Sequence, residues 1–237
     1  MQAQPVPEFV SHPAGAEPAA VSISLPSISL PVSAEDQARA DLYALAARLL
    51  LAPPDAALLV ALAAADPILG TQDERPLEDA WEKLVLAAGV IDAAAAAEEF
   101  SALFIAMGTP PVNPYGSLYL SGFLNDTPLA RLRDDLAALG LARAAGVGEF
   151  EDHLGALCES MRMVVAGGAG RPRQPLARQQ QFFETHIEPW FARCLADIAG
   201  APGANFYRVV AGFVAAFLAI EADAFAVDDG YDAAPLQ

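Results

Sequence analysis

The chain has 237 residues, 54% of them hydrophobic and only 18% charged, and 30 acidic against 13 basic residues give a net charge of −17. This composition supplies enough apolar matter for a packed core and excludes an intrinsically disordered chain. Nucleic acid is excluded as the expected partner, because neutralising phosphates takes clustered Lys and Arg, and here Lys83 is the only lysine.

Residues 1–34 are rich in Pro, Ser and Ala. Prolines at 5, 7, 13, 18, 26 and 31 break every candidate helix, and Pro26 interrupts the alternation from Val21 to Leu30. A disordered tail is expected there. It carries no Lys or Arg, so no charged region of a secretory signal is present. From Ser33 the periodicity is helical. Ser33 and Asp36 form a cap, and Leu42, Leu45, Ala46, Leu49 and Leu50 share one face. Pro53-Pro54-Asp55 ends this helix and opens a second through Ala65. Pro76 suits the first position of a third, with Leu77, Trp81, Leu84 and Val85, and Asp92 caps a fourth through Phe104.

Gly108 to Gly116 is too rich in Pro and Gly for regular structure. Asp126-Thr127-Pro128 starts a helix that ends at Gly140, and another is expected from about Glu149 to Ala166, stopped by Gly167-Gly168. A segment from Pro175 to Ala199 carries a boundary at Pro189. The last helix, Asn205 to about Asp223, places Phe206, Val210, Phe213, Phe217 and Ile220 on one buried seam. The expected fold is all-α, with one helical domain over residues 35–225 and an acidic tail over 226–237. The longest apolar run, Val209–Ile220, falls short of the ~20 residues of a membrane-spanning helix. No stable membrane insertion is expected. Cys158 and Cys194 lie in apolar helical patterns and read as buried reduced thiols, which fits the cytoplasm.

Catalytic signatures are missing from the sequence. It has no H-E-x-x-H, G-x-S-x-G, P-loop or dinucleotide fingerprint, and no Glu-x-x-His pair of a helical di-metal site. No cofactor is expected. Two clusters remain. In Pro114-Tyr115-Gly116-Ser117-Leu118-Tyr119, prolines restrain a loop that holds two tyrosines four residues apart; these residues suit either a peptide-binding surface or a rigid interhelical loop packed on the core. In Glu149-Phe150-Glu151-Asp152-His153, carboxylates at a helix start favour the dipole, whereas a charged His153 would oppose it. His153 is therefore expected neutral or paired with a carboxylate.

These two clusters, in this order, resemble the TorD/DmsD/NarJ family of cytoplasmic maturation chaperones for molybdenum enzymes. The family's Pro-Tyr-x-Ser-x-Tyr segment corresponds to residues 114–119, and its Glu-Pro-x-Asp-His segment to residues 149–153, with Phe150 in place of the proline. Phe182, His186, Ile187, Pro189 and Trp190 follow the family's F-x-x-x-H-[LI]-x-P-W pattern, and Phe206-Tyr207 and Phe217 to Glu221 extend the likeness. Upstream, Arg39 to Asp55 is similar to the family's opening helix.

The resemblance implies an all-helical, non-catalytic protein that binds the twin-arginine leader or apo form of a molybdopterin oxidoreductase before export. Tyr115, Ser117, Tyr119, Glu149, Phe150, Glu151, Asp152 and His153 match the family's leader-binding surface. An alternative of the same kind is a NarJ-like assembly factor for a cytoplasm-facing nitrate reductase. An alternative of another class is a helical metal-dependent hydrolase built on Asp152, His153 and His186.

Overall fold

The computed structural model describes residues 33–68, 76–105, 108–144, 148–168 and 170–232, with side chains to residue 227. The expected N-terminal tail thus lies, as far as residue 32, outside the described residues. Among the described residues the fold is all-α. The helices are α1 (Ala34–Leu51), α2 (Ala56–Ala63), α3 (Pro76–Val90), α4 (Ala93–Phe100), α5 (Gly116–Ser121), α6 (Thr127–Ala138), α7 (Leu154–Ala166), α8 (Leu176–His186), α9 (Phe191–Gly200) and α10 (Phe206–Asp232). No strand occurs among them, only two isolated bridges.

Side-chain caps set several of these starts. Ser33 accepts the Asp36 N–H at 3.0 Å, Asp55 that of Leu58 at 2.8 Å, Asp92 that of Ala95 at 2.8 Å and Asp126 that of Thr127 at 2.7 Å. Each such oxygen satisfies an N–H that has no partner inside its own helix. Pro189 separates α8 from α9 as expected. Three boundaries differ from the sequence reading. The fourth helix loosens into a π-helical turn, Ser101–Ile105. The helix expected from Glu149 begins only at Leu154, with His153 as its N-cap. The last helix continues past Asp223 to Asp232, into the segment expected as an acidic tail.

α7 lies along α1, and Gly155 is what allows the contact: a Cβ there would stand 2.8 Å from Leu51 Cγ and 3.1 Å from Leu50 Cβ. This crossing turns Tyr43 and Ala47 of α1 fully inward, while Leu42 and Leu45 of the predicted face are only half-buried. α10 packs against α9, α3 and α4. Phe206, Val210, Phe213 and Phe217 are buried along its expected seam, but Ile220 is 40% exposed. Glu221 takes the inward position instead. Its carboxylate receives Arg39 Nε at 2.8 Å, Arg39 Nη2 at 2.7 Å and the Tyr43 hydroxyl at 2.9 Å. Glu221 is therefore an internal clamp between α1 and α10.

Phe206–Val227 is long and apolar enough to cross a membrane by length and composition, since the helix is longer than the apolar run seen in the sequence. Its seam here is core, with Phe213 and Val214 fully buried. Cys158 and Cys194 are both free and buried, and burial pushes each thiol up to about 12, which leaves them protonated.

Candidate functional site

The two sequence clusters meet. Pro114 O accepts the Leu154 N–H at 2.8 Å, and Asp152 O accepts the Gly116 N–H at 2.8 Å, so Tyr115 and His153 face each other in an antiparallel bridge. Asp152 Oδ2 then accepts the Ser117 N–H at 2.8 Å. These bonds fasten the start of α5 to the start of α7. Gly116 packs closely on Trp190: a Cβ there would lie 3.2 Å from the indole, tighter than ordinary van der Waals contact. Trp190 is itself anchored by its Nε1–H, which donates to His186 O at 2.7 Å.

His153 is buried, and its Nδ1 accepts the Gly155 N–H at 3.0 Å. That bond assigns the neutral ring with the proton on Nε2. Burial lowers its pKa to about 4, against the opposing pull of Glu149 and Asp152. The Tyr115 ring meets His153 edge-on at 5.1 Å and Phe150 at 6.1 Å, and its hydroxyl donates to the Glu149 carboxylate. Burial and then this carboxylate raise the Tyr115 pKa, so the phenol stays a donor.

Ser117 and Asp152 are buried at 0% and 3% exposure, and Ser117 Oγ and Asp152 Oδ1 have no hydrogen-bond partner among the described residues. Both residues line a small cavity beside Leu120, Pro128 and His186. His186 pairs through Nε2 with Asp135 of α6 at 2.7 Å, not with Asp152 or His153. Among the described residues no group of three or more His, Cys, Asp or Glu side chains converges as a metal site. The hydrolase constellation is therefore not assembled.

A groove of about 390 Å³ opens beside this clasp. Leu51, Leu136, Leu141, Phe150, Ala156 and Met163 give it apolar walls, and Glu149, Glu151, Glu159, Arg143 and Arg171 bring charge to it. Glu151 already holds two of the chain's own arginines. Arg133 donates to its Oε2 from Nε at 3.1 Å and from Nη2 at 2.9 Å, and Arg143 Nε lies 3.9 Å from Oε1. Burial alone would raise the Glu151 pKa, but the Arg133 hydrogen bond, a backbone N–H and the charges of Arg133 and Arg143 together outweigh it and the net shift is downward. Glu159 pairs with Arg162 at 2.6 Å.

Of the residues singled out in the sequence, Glu149, Phe150 and Glu151 line the groove, with Tyr115 touching the first two. Ser117, Asp152 and His153 form the buried scaffold beneath. Tyr119 belongs to another cluster: it stacks on Trp190 at 5.3 Å, donates to Asp197 Oδ2 at 2.8 Å and carries the Arg193 guanidinium 5.4 Å from its ring. The groove walls from α1, α6 and α7, and the pairing of Arg133 and Arg143 with Glu151, were not legible in sequence. No local spacing relates them.

Residues 71–196, just over half of the chain, match the family described as nitrate reductase delta subunit. The chain belongs to this family. It is the family of NarJ/TorD-type chaperones, so the chain is a maturation chaperone for a redox enzyme and has an enzyme as its client. The matched span contains the Tyr115–His153 clasp, all but Leu51 of the groove walls named above, and Trp190. No curated protein matches the sequence significantly. Among solved structures, a candidate redox enzyme maturation protein from Archaeoglobus fulgidus is similar at 18% identity with a TM-score of 0.49, covering 74% of this chain and 93% of that one.

Proposed function

We propose that the protein is a non-catalytic cytoplasmic chaperone that binds the twin-arginine leader, the apo form, or both, of a molybdopterin oxidoreductase and holds it for cofactor insertion before export. The observation that carries this reading is the groove beside the Tyr115–His153 clasp. A leader sets arginines next to an apolar stretch, and its receptor needs carboxylates beside a hydrophobic trough. Glu149, Glu151 and Glu159 border one formed by Leu136, Leu141, Phe150 and Met163. The rigid clasp fixes the wall that presents Glu149 and Phe150, which keeps the ordering cost of binding low.

Calorimetry with a synthetic leader peptide tests the reading. Binding is expected to weaken several-fold in Phe150→Ala, and also between 50 and 300 mM salt, because exposed charges are screened over ~8 Å at physiological ionic strength. Absence of binding to the wild-type protein, or binding indifferent to Phe150, overturns the groove assignment.

The family description favours a second reading, in which the client is a nitrate reductase that stays on the cytoplasmic face and carries a degenerate leader. Capture of the client from the native host, read by mass spectrometry, separates the two. An exported oxidoreductase supports the first, and a membrane-anchored nitrate reductase the second.

A further inference from the structure

The carboxylate best placed to receive an arginine from a client is already occupied by arginines of the chain itself. Glu151 is only 14% exposed, and its two oxygens are shared: Arg133 takes Oε2 in two hydrogen bonds, while Arg143 approaches Oε1 at 3.9 Å. The two guanidiniums are not held alike. Arg133 rises from α6, and both of its bonds lie within hydrogen-bond distance. Arg143 sits after α6, makes only a long ion contact, and otherwise donates to Glu149 O at 3.3 Å. Its side chain is 38% exposed and forms part of the groove wall.

From this asymmetry we infer that Arg143 is an internal competitor, an arginine of the chain that holds the groove's Oε1 position until an arginine of the bound peptide displaces it. The inference rests on the peptide-binding reading above and deepens it by naming the residue that sets the receptor's demand for arginine. The physical logic is one of unequal bonds. A partly exposed ion pair at that separation contributes little, because solvent screens it and ordering a long side chain costs entropy. An incoming guanidinium that approaches from the groove takes a closer, charge-assisted contact on Oε1 while Arg133 keeps Oε2. Lysine, a compact and more strongly hydrated ion without the planar fork, displaces Arg143 less readily. Arg143 thereby raises the threshold for weakly cationic peptides and keeps Glu151 neutralised when the groove is empty.

The test uses the full chain and calorimetry with three peptides of one apolar sequence, carrying Arg-Arg, Lys-Lys or Gln-Gln at the charged pair. Arg143→Gln is expected to bind the Arg-Arg peptide about 2–5-fold more tightly than wild type, the factor equivalent to removing a competitor of weak ion-pair strength. The Lys-Lys peptide, which makes the weaker contact on Oε1, is expected to gain no more than the Arg-Arg peptide does. The gain should vanish for the Gln-Gln peptide and in an Glu151→Gln background. Arg143 is exposed and ends no helix, so the variant is expected to melt as wild type does. If wild type binds the Arg-Arg peptide and Arg143→Gln binds it equally or more weakly, Arg143 is a contact or a bystander, and the inference falls while the peptide-binding reading stands. If neither protein binds any peptide, both fall together.

Discussion

The backbone N–H of Ser117 is held by the carboxylate of Asp152, 35 residues further along the chain, at 2.8 Å. This single bond decides what the Asp-His motif does. Asp152 faces inward, and its immediate ligand is α5. Replacing Asp152 with Ala strands a buried N–H and is expected to lower unfolding stability by about 1.5–3 kcal/mol, the range for a hydrogen bond to a charged group. Ser117→Ala removes a hydroxyl with no partner among the described residues and is expected to cost much less. Urea unfolding of both variants checks this order. Equal losses would mean that Ser117 Oγ has a bonding role of its own. Any loss of leader affinity in Asp152→Ala must then be measured where the variant is fully folded.

His153 should make stability depend on pH. Its folded pKa, about 4, lies below the ordinary value of 6.5, because burial disfavours the charged ring. The unfolded chain therefore binds the extra proton first. The contribution is complete above pH 6.5 and is lost as pH falls toward 4, with an upper magnitude of about 3 kcal/mol. Protonation also removes the Nδ1 lone pair that caps Gly155. His153→Asn keeps a capping side chain without a titrating ring. Denaturation at pH 7 and pH 4.5 should show a smaller difference in this variant than in wild type. His186, whose pKa burial also lowers, titrates with the same sign in both proteins and cancels in the comparison. Identical pH slopes would remove His153 as the source.

The helices, their caps and the all-α fold were legible because these signals are local. Ser33, Asp55, Asp92 and Asp126 each act within three residues of their own position. The neutral state of His153 was anticipated as one of two options, since a cation at a helix start opposes the dipole, but its burial was not. What could not be read were choices between rotations of one helix and pairings across the chain. Ile220 and Glu221 are neighbours, and only the location of Arg39 on α1 decides that the acid turns inward. In the same way, the sequence leaves Glu151 without a partner because Arg133 and Arg143 lie in other segments. The eight-residue assignment of the site mixed groove lining with scaffold, as Phe150 and Asp152 are adjacent in sequence yet serve the two different layers.

The start of α10 offers a sharp test of remote capping. The Glu99 carboxylate on α4 accepts three consecutive N–H groups, from Asn205 at 2.8 Å, Phe206 at 3.1 Å and Tyr207 at 2.8 Å. An anion at this end satisfies orphan donors and also meets the positive pole of a long helix. Glu99→Gln is expected to cost about 1–2 kcal/mol, and Glu98→Gln, on the exposed side of the same turn, close to nothing. Thermal melts of the two neutralised variants supply the comparison. Equal melting temperatures would show that the charge of Glu99 contributes nothing to holding α10.

The Arg39–Glu221 clamp should behave as a buried pair, harmful to break and replaceable as a unit. Their side chains are 17% and 4% exposed, and the Tyr43 hydroxyl completes the set. Glu221→Gln leaves the Arg39 guanidinium in a mostly desolvated place, which in general costs ~3–5 kcal/mol. Asp36 at 3.3 Å and Gln179 at 3.1 Å still reach Arg39, so the loss is expected toward the lower end. Replacing the three together, Arg39→Met, Tyr43→Phe and Glu221→Met, removes every polar group that the clamp must satisfy, apart from the Gln179 amide and the Asp36 carboxylate that Arg173 still reaches, and restores apolar volume. That triple variant is expected to recover most of the stability lost in the single one, as measured by chemical denaturation. A triple variant no more stable than Glu221→Gln would mean that the charges themselves, and not their mutual satisfaction, hold α1 to α10.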